Sequence, residues 1–78
     1  MSQKAKLVWN FSGPDALKIA EHHLIHLKEF SVLENILFLE TGTEKITDLA
    51  YDAFIIVELK WANTLRTKLK PKQGYLVE

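Results

Sequence analysis

The hydrophobic residues at the start of the chain recur at every second position. In KAKLVWNF, residues 4 to 11, they are Ala5, Leu7, Trp9 and Phe11. A period of two is typical of a β-strand that buries one face, so the pattern predicts a first strand here. The following SGPD, residues 12 to 15, predicts a helix start, since proline suits the first turn and aspartate suits the positive end of a helix.

The next segment changes to a helical period. Apolar residues fall on one broad arc when positions are placed about 100° apart. They are Ala16, Leu17, Ile19, Ala20, Leu24, Leu27 and Phe30. This arc predicts an amphipathic helix that ends at about Phe30 and packs one face on the core. The apolar run from Ile36 to Leu39 is too short for a helix and predicts a buried strand.

Residues 46 to 59, ITDLAYDAFIIVEL, admit two interpretations. They could form one long helix with the following KWANTLRTKLK, or a strand in which alternate residues share a face. The β-branched run IIV favours the strand. Helical spacing then recurs at Trp61, Ala62, Leu65 and Leu69. Pro71 predicts the end of that helix, and residues 75 to 77 predict a last short strand.

The order of these elements is βαββαβ, which predicts an α+β, ferredoxin-like fold with a four-stranded antiparallel sheet and two helices on one face. A chain of 78 residues predicts a single domain, residues 1 to 78, with one core. There is no cysteine, which excludes disulfides and thiolate sites. No apolar run approaches the length of a membrane span or signal peptide, so we expect no membrane contact and a cytoplasmic location.

Three histidines lie in AEHHLIHLKEF, residues 20 to 30. His22 and His26 are four residues apart, and this helical spacing lets two imidazoles reach one metal ion. Zinc requires three or four ligands, however, and the HExxH pattern is absent. His23 falls inside the apolar arc, so we expect it to pack there with one hydrogen bond. The alternatives are solvated helix histidines or a small enzyme that uses all three, although no nucleophile or partner motif accompanies them.

Some large apolar residues cannot reach the helices if the predicted strands are correct. Val8, Phe54, Ile56 and Leu76, with an alternate pair from the run at 36 to 39, would face away from them. Scattered surface hydrophobes are common and carry no meaning by themselves. A contiguous apolar patch is typical of an interface, so these four residues predict sheet-to-sheet packing in a homodimer.

The charges are balanced overall but uneven along the chain. Ten basic and ten acidic residues give a formal net charge of zero, which removes the basic surplus typical of nucleic-acid binders. Near the C-terminal end the cations cluster without acids, and the candidates for anion binding are Arg66, Lys68, Lys70 and Lys72. Basic residues late in a helix also complement its dipole, so a solvated, stabilising face is the alternative.

The stretches AEHHLIHLKEF and LRTKLKPKQG resemble small bacterial proteins of βαββαβ type to which no function is assigned. The resemblance implies the fold and supplies no catalytic residue or cofactor. The sequence therefore predicts a homodimeric interaction module or a small-ligand-binding module. We expect no cofactor, and the absence of a catalytic motif favours a non-enzymatic role. The alternative is a metal-binding protein or small enzyme built on His22, His23 and His26.

Overall fold

Four strands and two helices follow one another along the chain in the predicted order βαββαβ. The computed structural model describes residues 3–77, and its elements are β1 (Lys4–Ser12), α1 (Ala16–Glu34), β2 (Glu40–Thr47), β3 (Ala50–Glu58), α2 (Leu59–Leu69) and β4 (Gln73–Val77). The sheet order is β2-β3-β1-β4, and every neighbouring pair is antiparallel. The α+β, ferredoxin-like architecture is confirmed.

The central strands β1 and β3 pair in register along their whole length, from Lys4 opposite Glu58 to Ser12 opposite Ala50. One face of this pair packs under both helices, as the period of two predicts. The core residues on this face are Ala5, Leu7, Trp9, Ala53, Ile55 and Val57. The Trp9 indole also donates a hydrogen bond to the Leu69 carbonyl at 3.0 Å, which ties β1 to the end of α2.

Helix α1 begins after a turn at Gly13, whose φ of 114° is accessible to glycine without strain. The Gly13 amide donates to the Leu49 carbonyl at 2.7 Å, so this turn also joins the β2–β3 connection. The helix runs one turn past the predicted end at Phe30, because no helix-breaking residue occurs before Asn35. Asn35 ends it in the left-handed conformation, with a φ of 55°.

Only part of the predicted apolar arc of α1 is buried. Ala16, Ala20, Leu24 and Leu27 are buried against the sheet. Leu17 and Ile19 were expected beside them but are 39% and 46% exposed. They lie at the two margins of the arc, and the sheet covers only the strip between them.

The strand predicted over Ile36 to Leu39 is wrong. This segment is an irregular connection that buries Ile36 and leaves Leu37 67% exposed. The actual strand is the polar ETGTEKIT of β2, and it begins just after the Leu39 amide donates to the Ile56 carbonyl at 2.7 Å. Because β2 is an edge strand with little burial on either face, it carries no hydrophobic period that a sequence reading could detect.

The strand interpretation of residues 46 to 59 is confirmed for Ala50–Glu58, which form β3. The residues before it belong to the end of β2 and the turn at 48 to 49, and Leu59 already begins α2. The assignment of Leu76 to the face away from the helices is wrong. Leu76 lies opposite Ala5, so it shares the helix side, and Tyr75 takes the other face opposite Lys6. A shift of one residue in register reverses every side chain of a strand. Tyr75, Leu76 and Val77 are all apolar, so the run itself does not indicate which of them face the helices.

Candidate functional site

The sheet face opposite the helices, which we call the open face, has an apolar centre. Val8 lies directly opposite Phe54 in the β1–β3 pair, and Ile56 follows on the same face. Val8 is 5% exposed, while Phe54 and Ile56 are half-buried. Three of the four residues predicted as an interface therefore share one face, and Leu76 does not join them. Their role as an interface stays a prediction.

The Phe54 ring organises this centre. A Cβ atom at Gly42 would lie 3.0 Å from two ring carbons, so the ring rests on the β2 backbone where there is no side chain. On its other side, the Lys6 ammonium lies 4.5 Å from the ring centroid, a distance that suits a cation–π interaction. The same ammonium forms an ion pair with Glu44. Phe54 is thus enclosed by glycine below and by a charged pair above.

Two acidic residues stand side by side next to this ring. Glu44 and Asp52 are direct cross-strand partners, and like charges in such positions repel. Each has a compensating neighbour, since Lys6 pairs with Glu44 and the Asn10 side-chain amide donates to Asp52 at 2.7 Å. A cavity of about 200 Å³ is lined by Lys6, Glu44 and Asp52 together with Val8, Phe54 and Tyr75. It can accept a short side chain or a small polar group.

The two histidines predicted to bind a metal ion, His22 and His26, lie close together, but within residues 3–77 no third ligand joins them. The Nε2 atoms of His22 and His26 lie 2.9 Å apart and share a hydrogen bond, and His26 Nδ1 lies 3.6 Å from the Glu29 carboxylate. Two ligands of a tetrahedral zinc ion are about 3.3 Å apart, so this pair is close to chelating distance. Within residues 3–77, however, no group of three or more His, Cys, Asp or Glu side chains could hold a metal ion.

His23 lies apart from that pair, in the interface between α1 and β1. Its ring centroid is 5.1 Å from that of Trp9 and 5.3 Å from that of Phe11. The expected hydrogen bond is not formed by Nε2, which is buried and has no partner in the described part of the chain. Burial lowers the pKa of His23, and the nearby His26 lowers it further. A neutral, packed imidazole is therefore favoured.

The four cations proposed for anion binding do not form one cluster. Lys68 donates to the Glu34 carboxylate at 2.6 Å and so links α2 to the end of α1. Arg66 and Lys70 line a shallow cleft of about 500 Å³ beside Asn63. Lys72 lies past the helix, where its backbone amide donates to the Val8 carbonyl at 2.8 Å. Only Arg66 and Lys70 can therefore act on the same ligand in this cleft.

Comparison with known proteins adds no family to this description. No protein-family model matches the chain, and no curated protein matches it significantly. The resemblance to small bacterial βαββαβ proteins therefore stays a prediction. Neither helix within residues 3–77 has the length and hydropathy needed to cross a membrane.

Several residues of the open face were missed by the sequence reading. Lys6 and Tyr75 alternate with buried positions of their strands, so each could have been placed on the open face once its register was known. Glu44 could not have been placed on the open face, because its strand has no apolar period and its partner Lys6 is 38 residues away in the sequence. Polar side chains that meet across a sheet leave no local signal in the sequence.

Proposed function

We propose that this protein is a cytoplasmic homodimeric interaction module that associates through the open face. The observation that carries the proposal is the apolar centre of Val8, Phe54 and Ile56 on a sheet face that lies opposite both helices. Apolar centres on a sheet face that carries no helix are typical of surfaces that pack against another sheet. A second copy is the simplest occupant, because it supplies the same apolar centre in return.

The size of the face suits a modest interface. The strands are nine, eight, nine and five residues long. At a rise of about 3.3 Å per residue and a spacing of about 4.8 Å they give an area of roughly 500 Å² per partner. This lies at the low end of specific interfaces. We therefore expect a dimer whose population changes with protein concentration.

The charges of the open face favour one arrangement of the two copies. Glu40 and Glu44 lie on the β2 side of this face, whereas Lys4 and Lys6 lie on β1. A two-fold axis parallel to the strands brings β2 of one copy over β4 of the other, so the glutamates of the two copies lie at opposite sides of the interface. An axis perpendicular to the strands places the glutamates of one copy over those of the other, which costs energy through repulsion.

Sedimentation velocity over a wide concentration range tests this proposal. We expect the wild type to dimerise and the double variant Phe54→Ser/Ile56→Ser to remain monomeric with an unchanged far-UV circular dichroism spectrum. The matched control Val32→Ser/Leu33→Ser removes two residues that are 80% and 82% exposed on α1, and it should dimerise like the wild type. A monomeric wild type, or equal loss in the control, would refute the proposal.

A further inference from the structure

A groove runs along the helix side of the sheet between α2 and β4. Helix α2 packs mainly on β1 and β3, so the outer strand β4 extends beyond it. The groove has a volume of about 160 Å³, and its apolar and aromatic lining consists of Ala5, Leu7, Leu59, Ala62, Tyr75 and Leu76. Leu76 is 69% exposed, which leaves a large apolar side chain at the rim. This surface lies on the opposite side of the sheet from the open face, and Tyr75 on the edge strand borders both.

Gly74 keeps the floor of the groove clear. A Cβ atom there would lie 3.3 Å from the Leu7 Cδ2 atom and 4.0 Å from the Arg66 Cδ atom. The aliphatic stem of Arg66 therefore passes close to β4, and the residue as a whole is exposed. A larger residue at position 74 would occupy the space between the strand and the helix.

The two ends of the groove differ in polarity. Leu59 and Leu76 line the apolar end, and Asn63 and Arg66 line the other. Asn63 and Arg66 also line the shallow cleft that contains Lys70, so the groove opens directly into a cationic surface. Within residues 3–77 no carboxylate forms an ion pair with Arg66 or Lys70. The cationic end therefore faces solvent without an anion from the described chain.

We propose that this α2–β4 groove binds a small organic carboxylate. The apolar part of the ligand lies on Leu7, Leu59 and Leu76, and its carboxylate accepts hydrogen bonds from the Arg66 guanidinium and the Asn63 amide. The planar guanidinium matches a carboxylate through two parallel hydrogen bonds. The volume corresponds to about five water molecules, so the groove holds a short acyl chain or one ring. An inorganic anion would leave the apolar end unused.

NMR titration of the ¹⁵N-labelled full chain with three probes tests this proposal. Hexanoate has both an apolar chain and a carboxylate, hexanol has only the chain, and acetate has little more than the charge. We expect saturable hexanoate shifts at the amides of Ala62, Gly74 and Leu76, with hexanol and acetate at least about tenfold weaker. Equal binding of hexanol or acetate, or no saturation at these amides, would overturn the proposal.

Three variants locate the binding. Arg66→Gln keeps a polar side chain but removes the guanidinium, so hexanoate should bind about tenfold more weakly while hexanol is unaffected. Leu76→Asp places a negative charge at an exposed position and should also weaken hexanoate binding without affecting folding. Lys68→Gln is the matched control, because its ammonium contacts Glu34, and it should bind normally. Wild-type affinity in Arg66→Gln, or equal loss in Lys68→Gln, would contradict the assignment.

The groove and the proposed dimer are tested independently. The Phe54→Ser/Ile56→Ser variant changes only the open face, so it should bind hexanoate as the wild type does even when it is monomeric. If this variant loses hexanoate binding while it stays folded, the groove alone is not the binding site and the proposal fails.

Discussion

The Phe54 ring lies on the backbone of Gly42 in the neighbouring strand, where a Cβ atom would be 3.0 Å from two ring carbons. Glycine inside a strand is destabilising by itself, because it loses more conformational freedom on folding and packs no side chain. Here the ring covers the exposed backbone of β2 at that point. The two residues are therefore coupled, and the glycine fixes where the ring can lie.

This coupling can be measured with a double-mutant cycle. We expect Gly42→Ala to lower the free energy of unfolding by about 1 kcal/mol, because the new methyl group displaces the Phe54 ring. In a Phe54→Leu background the same change should be neutral or stabilising by up to about 1 kcal/mol, because alanine restricts the unfolded chain more than glycine does. Urea unfolding monitored by tryptophan fluorescence gives the four values. Equal effects in both backgrounds would show that the ring does not rest on Gly42.

The half-buried position of His23 predicts a dependence of stability on pH. Its pKa is lowered by desolvation and by His26, so the folded state binds fewer protons than the unfolded state. The free energy of unfolding should therefore be highest above the ordinary histidine pKa of about 6.5 and fall as the pH drops below it. It should level off once the pH is below the pKa of the folded state. The flanking rings of Trp9 and Phe11 do not titrate and offer the imidazolium no counter-charge.

His23→Leu should abolish this part of the pH dependence, whereas the exposed His22→Gln should retain it. Urea unfolding at several pH values between 5 and 8, at constant protein concentration, makes the comparison. A His23→Leu variant with the same pH profile as the wild type would assign the dependence to other groups.

The left-handed backbone at Lys70 predicts a stabilising substitution. Lys70 has a φ of 48°, a conformation that costs a residue with a side chain about 1 kcal/mol relative to glycine. Lys70→Gly should therefore raise the free energy of unfolding by about 1 kcal/mol, and thermal denaturation would show it. Lys70→Ala is the control, since it removes the same charge but keeps the strain, and it should not be stabilising. A Lys70→Gly variant no more stable than Lys70→Ala would mean that the strain is absent.

The His22 and His26 pair predicts weak metal binding. Because residues 3–77 supply no third ligand, Zn²⁺ should shift the imidazole NMR signals only at large excess and without a stoichiometric end point. His26→Ala should remove even that response, while His23→Leu should leave it intact. A stoichiometric, saturable response would support the metal-binding alternative and would require a further ligand from outside the described residues or from a second copy.

Strong periodicity made most of the fold predictable from the sequence. Burial of one face explains the alternation in β1, the IIV run in β3 and the helical spacing around Leu65. Such burial produces a periodic pattern of apolar residues that can be detected in the sequence. The position of β2 was not predicted, because an exposed edge strand needs no periodic pattern of apolar residues. Leu76 was assigned to the wrong face because residues 75 to 77 are all apolar and show no alternation that would fix the register of β4.

The candidate sites were less predictable than the fold. Val8, Phe54 and Ile56 were placed together correctly, since alternation alone assigns them to one face. The cover that Lys6 and Glu44 form over Phe54 depends on pairing between distant segments. The α2–β4 groove likewise depends on how far the helix reaches across the sheet, which no local pattern specifies.

The polar edge strand also limits how copies of this protein can assemble. β2 carries Glu40, Glu44 and Lys45, and its pairing with β3 is irregular between Lys45 and Thr47. Charges and irregularities of this kind discourage a further strand from adding to a sheet edge. Contact through the face ends with two molecules, whereas contact through the edge could continue without limit. The polar residues that gave β2 no detectable hydrophobic period therefore also discourage strand addition at this edge of the sheet.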